Sequence, residues 1–392
     1  MSEAAEGVQW PVVRSLAAQP SGYGRVLADV KTCRRILYLL ILVACSATAL
    51  ACPPSNAAQW RVKRQVVGGP TFAGGGVAWF VARPDVGTDL YEGSQSGKAN
   101  RIQAFPAPPP RSNSAPEVVH ALVGSRQFLT AFIRPRYVDP SGFEASTENS
   151  DVFAGAMGSP LPDIEHCDPS LFPSLRGIDA SVKTIVFPRC DNKLVVRDMS
   201  GAQPDQVVGS TTHGGRVSGR YVAWLEGPYS DLADDHTADV VVYDRVTKAI
   251  VYHVPRSGIP GRVQSLSVQS DGKVAISIVR VGSGRLEAFA GWASPQAPRF
   301  HRLPLATRGQ YTVSMASNLI AFGRDARNDS HAEVGVANLK GRSHLIAVGT
   351  VPSSEIDFDG HNVVFLRRCH KGGLIQTSSF RTRAKTGENS HC

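Results

Sequence analysis

A tight turn followed by an apolar strand that ends in an aromatic or branched residue recurs seven times between residues 74 and 366. The copies are GGGVAWF (74–80), GSRQFLTAF (124–132), ASVKTIVF (180–187), VSGRYVAWLEG (217–227), SDGKVAISI (270–278), ASNLIAFG (316–323) and DGHNVVFL (359–366). Each leads into further strand-like sequence, most plainly in DVVVYDRVTKAIVYHV (239–254). There two β-branched runs flank the polar turn DRVTK and read as a hairpin. A lone hairpin says little about a fold. One repeated seven times dictates it.

The position held by Trp79, Phe132, Phe187, Trp224, Ile276, Phe322 and Phe365 returns about every 48 residues, inside the period of roughly 40 to 50 expected of propeller blades. A second mark agrees: an acidic residue stands just before the third strand in Asp89, Asp151, Asp239 and Glu333. Each copy supplies four short strands, and such a sheet cannot bury both faces alone. Packing neighbours radially hides them. The 37 glycines and 26 prolines fit many turns, and the helical pattern of apolar residues is nearly absent beyond residue 60. The expected fold is therefore all-β, a seven-bladed β-propeller over residues 59–392. Trp79 and Trp224 then fill the space between blades and do not stack on a ligand.

These repeats resemble extracytoplasmic β-propellers of the TolB-like and WD40-like kind, although the regular Gly-His and Trp-Asp pairs of true WD40 repeats are missing. The seventh copy has no clear fourth strand after Phe380. The segment QWRVKRQVV (59–67) is expected to supply it, pairing antiparallel and closing the ring.

The N-terminus reads as an address. Arg34 and Arg35 precede an apolar run from Ile36 to Ala44, followed by small residues to Cys52. A bilayer span needs about 20 apolar residues, and this run reaches Ala51 only through Cys45, Ser46 and Thr48, so it suits an export signal better than a permanent span. Leu42-Val43-Ala44-Cys45 resembles the bacterial lipoprotein signal motif, which implies lipidation of Cys45, with Cys52 as the alternative. Cleavage after Ala51 with release of a soluble protein, and an uncleaved anchor, remain open. Residues 1–33 are expected to be a disordered lead, or to lie partly upstream of a true start at Val26 or Val30. The protein is thus expected outside the cytoplasm, attached to the membrane or secreted.

Cysteine use agrees with export: Cys167 and Cys190 flank one segment, Cys369 and Cys392 another, and a disulfide could close each loop. Four free thiols are the alternative. No CxxC occurs, which argues against a structural zinc site. The formal charge is +9, with basic residues scattered singly; nucleic acid is not the expected partner, because that would need a clustered patch.

Loops between the second and third strands vary most in length, and they open on one face. The longest are IRPRYVDPSGFEASTENS (133–150) and LEGPYSDLADDHTA (225–238). The latter holds Asp231, Asp234, Asp235 and His236, and the sixth copy has a similar set in Asp325, Asp329 and His331. These are candidate loop-binding residues. Their spacing matches no known metal loop, so a metal is left undetermined. GSQSGK (93–98) is one residue short of a phosphate loop, and no Gly-x-Ser-x-Gly elbow occurs. The expectation is a monomeric, non-catalytic binding or scaffolding protein of the envelope, with no cofactor, holding a protein, peptide or glycan. The alternative is a propeller hydrolase or lyase acting on sugars or lactones through carboxylates at the central channel.

Overall fold

Alternating burial along short β-branched runs, broken by turns with positive φ, makes strands of nearly every repeat. The computed structural model describes residues 58–109, 115–138, 144–147, 150–167, 177–210, 214–227, 238–282, 285–306, 309–325, 333–348, 356–369 and 372–381. Strand β1 (Gln59–Val62) comes first and is set apart from the sheet that follows it. Blade 1 is β2 (Val66–Ala73), β3 (Gly76–Ala82), β4 (Thr88–Gly93) and β5 (Ala99–Phe105). Blade 2 is β6 (Ala115–Gly124), β7 (Phe128–Val138), β8 (Glu144–Thr147), β9 (Ser150–Ala156) and β10 (Asp163–Cys167). Blade 3 is β11 (Asp179–Ser181), β12 (Thr184–Pro188), β13 (Lys193–Asp198) and β14 (Gln206–Ser210). Blade 4 is β15 (Gly215–Ser218), β16 (Tyr221–Glu226), β17 (Asp239–Asp244) and β18 (Ala249–Val254). Blade 5 is β19 (Arg262–Val268), β20 (Val274–Gly282), β21 (Arg285–Ser294) and β22 (Ala297–Arg302). Blade 6 is β23 (Gln310–Ala316), β24 (Leu319–Asp325), β25 (Glu333–Asn338) and β26 (Ser343–Val348). Blade 7 is β27 (Ile356–Phe358), β28 (Asn362–Cys369) and β29 (Gly372–Ser379).

Each blade is an antiparallel meander, and the first strand of each packs against the first strand of the next, so that seven innermost strands form a closed ring. The seven blades make an all-β propeller. Blade 7 takes its fourth strand from the other end of the chain: β1 pairs antiparallel with β29, Gln59 opposite Gln376 and Val62 opposite Gly373. Closure uses only Gln59–Val62, not the whole of 59–67. The chain turns at Lys63–Gln65 because it must pass from the outermost strand of the last blade to the innermost strand of the first, where Val66 and Val67 belong. A second difference lies in the long segment after Phe132. Residues 133–138 continue β7, and β8 folds back on it as a fifth strand, so part of the expected loop is sheet.

The core is a set of seven apolar layers, one at each junction. The recurring second-strand residue lies in these layers at every copy, and Trp79 and Trp224 are each only 2% exposed. Burying such a side chain contributes roughly 2 to 3 kcal/mol. The residue just before it is small, Ala or Val in all seven copies, and fully buried. Two glycines make room for the tryptophans. A Cβ on Gly93 would meet Trp60 at 2.5 Å, and one on Gly209 would meet Trp224 at 2.6 Å. Residues 1–57 lie outside the described residues.

Candidate functional site

Facing the small residue of the second strand, the innermost strand carries a polar side chain in six of seven blades: Thr71, Asp179, Arg216, Ser267, Ser314 and Asp357, with Leu122 in blade 2. Five of these groups reach across the junctions to main-chain atoms of neighbouring blades, and Ser314 reaches the Asp357 side chain. Val217 N donates to Asp179 Oδ2 at 2.8 Å, Arg216 Nε donates to the Leu266 carbonyl at 3.0 Å, and Met315 N donates to Ser267 Oγ at 3.0 Å.

Asp357 is the hub of this ring. Its Oδ2 accepts from Thr71 Oγ1 at 3.0 Å and from Phe72 N at 2.9 Å, both in blade 1. Its Oδ1 accepts from Phe358 N at 2.7 Å and from Ser314 Oγ of blade 6 at 3.3 Å. Thr71 Oγ1 in turn accepts from Gly124 N of blade 2 at 3.1 Å. One carboxylate therefore ties blades 6, 7, 1 and 2 into a single hydrogen-bonded chain.

Asp179 and Asp357 retain some exposure to the space along the axis, yet protein surrounds them closely. Burial pushes the Asp179 carboxyl up to about 6, opposed by Arg216 and by the amides of Val217 and Ala180, with the Asp357 charge adding to the rise. Burial also raises Asp357, and its four donors oppose the rise. Two carboxyls that feel each other inside a ring are what an acid–base catalyst would use. Here both oxygens of each are already held by amides and hydroxyls. Their first chemistry is to lock blades.

The acids that open the third strands have partners as well. Asp89, 2% exposed, lies within 4.0 Å of Arg64, Arg83 and Arg101; Asp239 accepts from Arg256 N at 2.7 Å; Glu333 pairs with Arg324 at 2.7 Å. Asp151 hydrogen-bonds to His166 Nδ1. A bulge in β10 sets Asp163 opposite Phe153 and His166 opposite Asp151, which brings residues three apart onto one face and gathers Asp151, Asp163 and His166. This donor set suits a divalent cation. The Asp151–His166 pair accounts for most of it without one.

Beside it, a disulfide joins Cys167 at the end of β10 to Cys190 in the turn of blade 3, with Cα atoms 5.5 Å apart. Glu165 Oε1 lies 3.3 Å from Cys190 Sγ. Cys369 ends β28, whereas Cys392, Cys45 and Cys52 lie outside the described residues. So do Asp231, Asp234, Asp235, His236, Asp329 and His331; Asp325 ends β24 opposite Gln310. The structure thus brings none of the loop candidates together among the described residues.

The polar ring escaped the sequence reading, though it left a signal. Thr71, Asp179, Arg216, Ser314 and Asp357 each stand eight residues before the recurring bulky residue of their blade. That fixed offset is the length of a two-residue turn plus the paired strand ends.

No protein-family model matches the chain, and no curated protein matches it. Solved structures resemble it in strand architecture. Hydrazine synthase of Kuenenia stuttgartiensis is 12% identical with a TM-score of 0.49, covering 81% of this chain and 96% of that one. TolB from Acinetobacter baumannii is 12% identical at 0.40, covering 68% and 77%. BamB from Moraxella catarrhalis is 12% identical at 0.42, covering 80% and 86%.

Proposed function

We propose that the chain is a non-catalytic binding or scaffolding propeller of the cell envelope, attached through its N-terminal segment, that holds a protein, peptide or glycan on its loop face. The observation that carries this reading is the state of Asp179 and Asp357. A propeller hydrolase or lyase would need unengaged acid and base groups converging at the channel. The carboxyls nearest the axis are instead engaged by main-chain amides of the blades they join. What varies between the blades is the length of the connections after each second strand, and those leave from the face opposite the tight turns.

The test is crosslinking in living cells followed by capture of the full chain, compared with a variant whose residues 228–237 are replaced by a short Gly-Ser connection. A partner captured by the unaltered chain and lost from the variant, at equal protein level, supports the reading. Turnover of a sugar or lactone that Asp179→Asn or Asp357→Asn abolishes without unfolding would overturn it. Attachment is tested separately by Cys45→Ala: release from membranes, or a precursor of unprocessed mass, is expected, and unchanged detergent partitioning and mature mass would remove Cys45 as the attachment point.

A further inference from the structure

In an antiparallel meander the first-to-second and third-to-fourth turns leave from the same end of the blade, so all such turns in the ring share one face. Contacts between blades agree: Gly219 N donates to Ser181 Oγ at 3.1 Å, Ser125 Oγ to the Val182 carbonyl at 3.1 Å, and Asn318 N to Gln269 Oε1 at 2.9 Å. This turn face is cationic. Lys98, Arg126, Lys183, Lys248, Lys340 and Arg342 are exposed there and make no ion pair among the described residues. Most acids of the same face are taken up. Asp244 pairs with Arg220, Asp271 with Lys273 and Asp205 with Arg197; Asp198 and Asp359 cap nearby amides, Asp198 also feeling the charge of Lys183, and half-buried Glu92 bonds to the backbone of Gly158.

Two apolar tips stand within this charge. Val182, 54% exposed, occupies the turn of blade 3 at φ 48°, where an unbranched residue would be less strained, and Val246, 69% exposed, tops the hairpin of blade 4. Arg245, next to Val246, ties this hairpin to β12 of blade 3, donating from Nη1 to Thr184 Oγ1 and from Nη2 to the Gly219 carbonyl, both at 3.0 Å. Ile250, 59% exposed, follows the same hairpin in β18.

The chain also enters the propeller here. Ala58 N donates to Thr377 Oγ1, and Phe380 N donates to the carbonyl of His361 in the turn of blade 7, so the start of β1 lies at the turn face. From Cys52 to Ala58 the chain reaches at most about 20 Å, and from Cys45 about 45 Å.

We infer that the turn face sits on an anionic phospholipid surface, with lysines over the headgroups and the Val182 and Val246 tips in the interface, leaving the loop face turned away from the membrane. This rests on the envelope attachment proposed above. Charge alone would suit any polyanion; exposed aliphatic tips beside lysine suit a bilayer.

The test uses residues 53–392, which hold all seven blades and the closing strand and lack the apolar segment. Cosedimentation is measured with vesicles of phosphatidylcholine alone, and of three parts phosphatidylcholine to one part phosphatidylglycerol. Binding to the anionic vesicles only, weakening with salt, is expected. Lys183→Glu with Lys248→Glu should reduce it by about twentyfold or more, at roughly fivefold per basic residue facing the lipid. Val182→Ser with Val246→Ser should reduce it severalfold at unchanged melting temperature. Equal binding to both vesicles, or charge-reversed protein that binds as well, overturns the inference. So does polyphosphate binding of equal strength with the serine variants unimpaired, which would make the partner a soluble polyanion. Loss of attachment in Cys45→Ala cells is independent of these readouts, so failure of the anchor and failure of the face are told apart.

Discussion

At the residue scale, two half-buried titratable groups act in opposite senses over one pH window. The Asp179 carboxyl is raised from 3.8 to about 6 by burial, so the folded state holds its proton more tightly than the unfolded chain. Its contribution to stability is fully present below the ordinary carboxyl value and is lost as pH rises through about 6. His120, packed against Phe80 and bonded to Thr88 Oγ1 at 2.7 Å, is lowered from 6.5 to about 4, again by burial. Its contribution is present above 6.5 and is lost as pH falls through about 4. Between about pH 4 and 6 the two offset each other. In urea unfolding across that window, Asp179→Asn should leave a protein that weakens with acid, and His120→Gln one that strengthens with acid. Identical slopes in all three proteins would show that neither group is linked to folding. Asp357→Ala tests the hub of the ring. It orphans Phe72 N and unlocks Thr71 and Ser314, so a loss on the order of 3 kcal/mol is expected from urea midpoints. A loss within experimental error would make the ring incidental.

At the element scale, the four residues of β1 decide whether the ring is closed. Trp60 is 3% exposed, 5.9 Å from Trp79 and in one apolar layer with Val364 and Ile375, so it fastens blade 7 to blade 1 as well as pairing with β29. Trp60→Ala should cost about 3 to 5 kcal/mol. Removing residues 58–62 should go further, lowering the melting temperature and promoting aggregation, because it bares the edge of β29. If the shortened protein melts and stays dispersed like the original, closure by β1 contributes nothing. The second and third strands of each blade were legible in sequence because the bulky residue at Trp79, Phe132 and their equivalents fills the same gap between blades each time. The innermost strands were not. Asp179–Ser181 and Ile356–Phe358 are three residues long and carry a carboxylate at the position that locks the next blade, so no apolar run marks them. The extension of β7 was hidden for a related reason. Arg134-Pro135-Arg136 reads as loop, yet its backbone stays in register with β6. The loop candidates could not be judged by pattern, since a run of Asp and His serves a ligand or water equally well.

At the scale of the whole molecule, the ring is only as strong as its weakest junction, and the polar ring shows where that is. At the junction of blades 2 and 3 the locking position holds Leu122, which has no side-chain donor or acceptor. Among the described residues the side-chain bond from blade 2 to blade 3 near the axis is Ser125 Oγ to the Val182 carbonyl, out at the turn. Apolar contact among Phe132, Val152, Ile178 and Phe187 must do most of the joining there. The Cys167–Cys190 disulfide crosses this same junction, from the outer strand of blade 2 to blade 3, with a sequence separation of 23. A loop of that size gives roughly 3 kcal/mol in the chain-entropy picture, comparable to what a locking carboxylate supplies elsewhere. The bond therefore stands in for the missing polar lock. Peptide mapping without reduction should recover Cys167 linked to Cys190, and alkylation of both without reductant would exclude the bond in solution. Cys167→Ser with Cys190→Ser should lower the unfolding midpoint and speed hydrogen exchange selectively in β10, β11 and β12. The junction of blades 3 and 4, held by Asp179 and Arg216, should exchange as before. Replacing Leu122 by Ser in the same background would probe the compensation itself: a hydroxyl that reaches a main-chain atom of blade 3 should restore part of the lost protection. Faster exchange spread evenly over all seven blades would mean that the disulfide acts only by restricting the unfolded state of the whole chain and guards no particular seam.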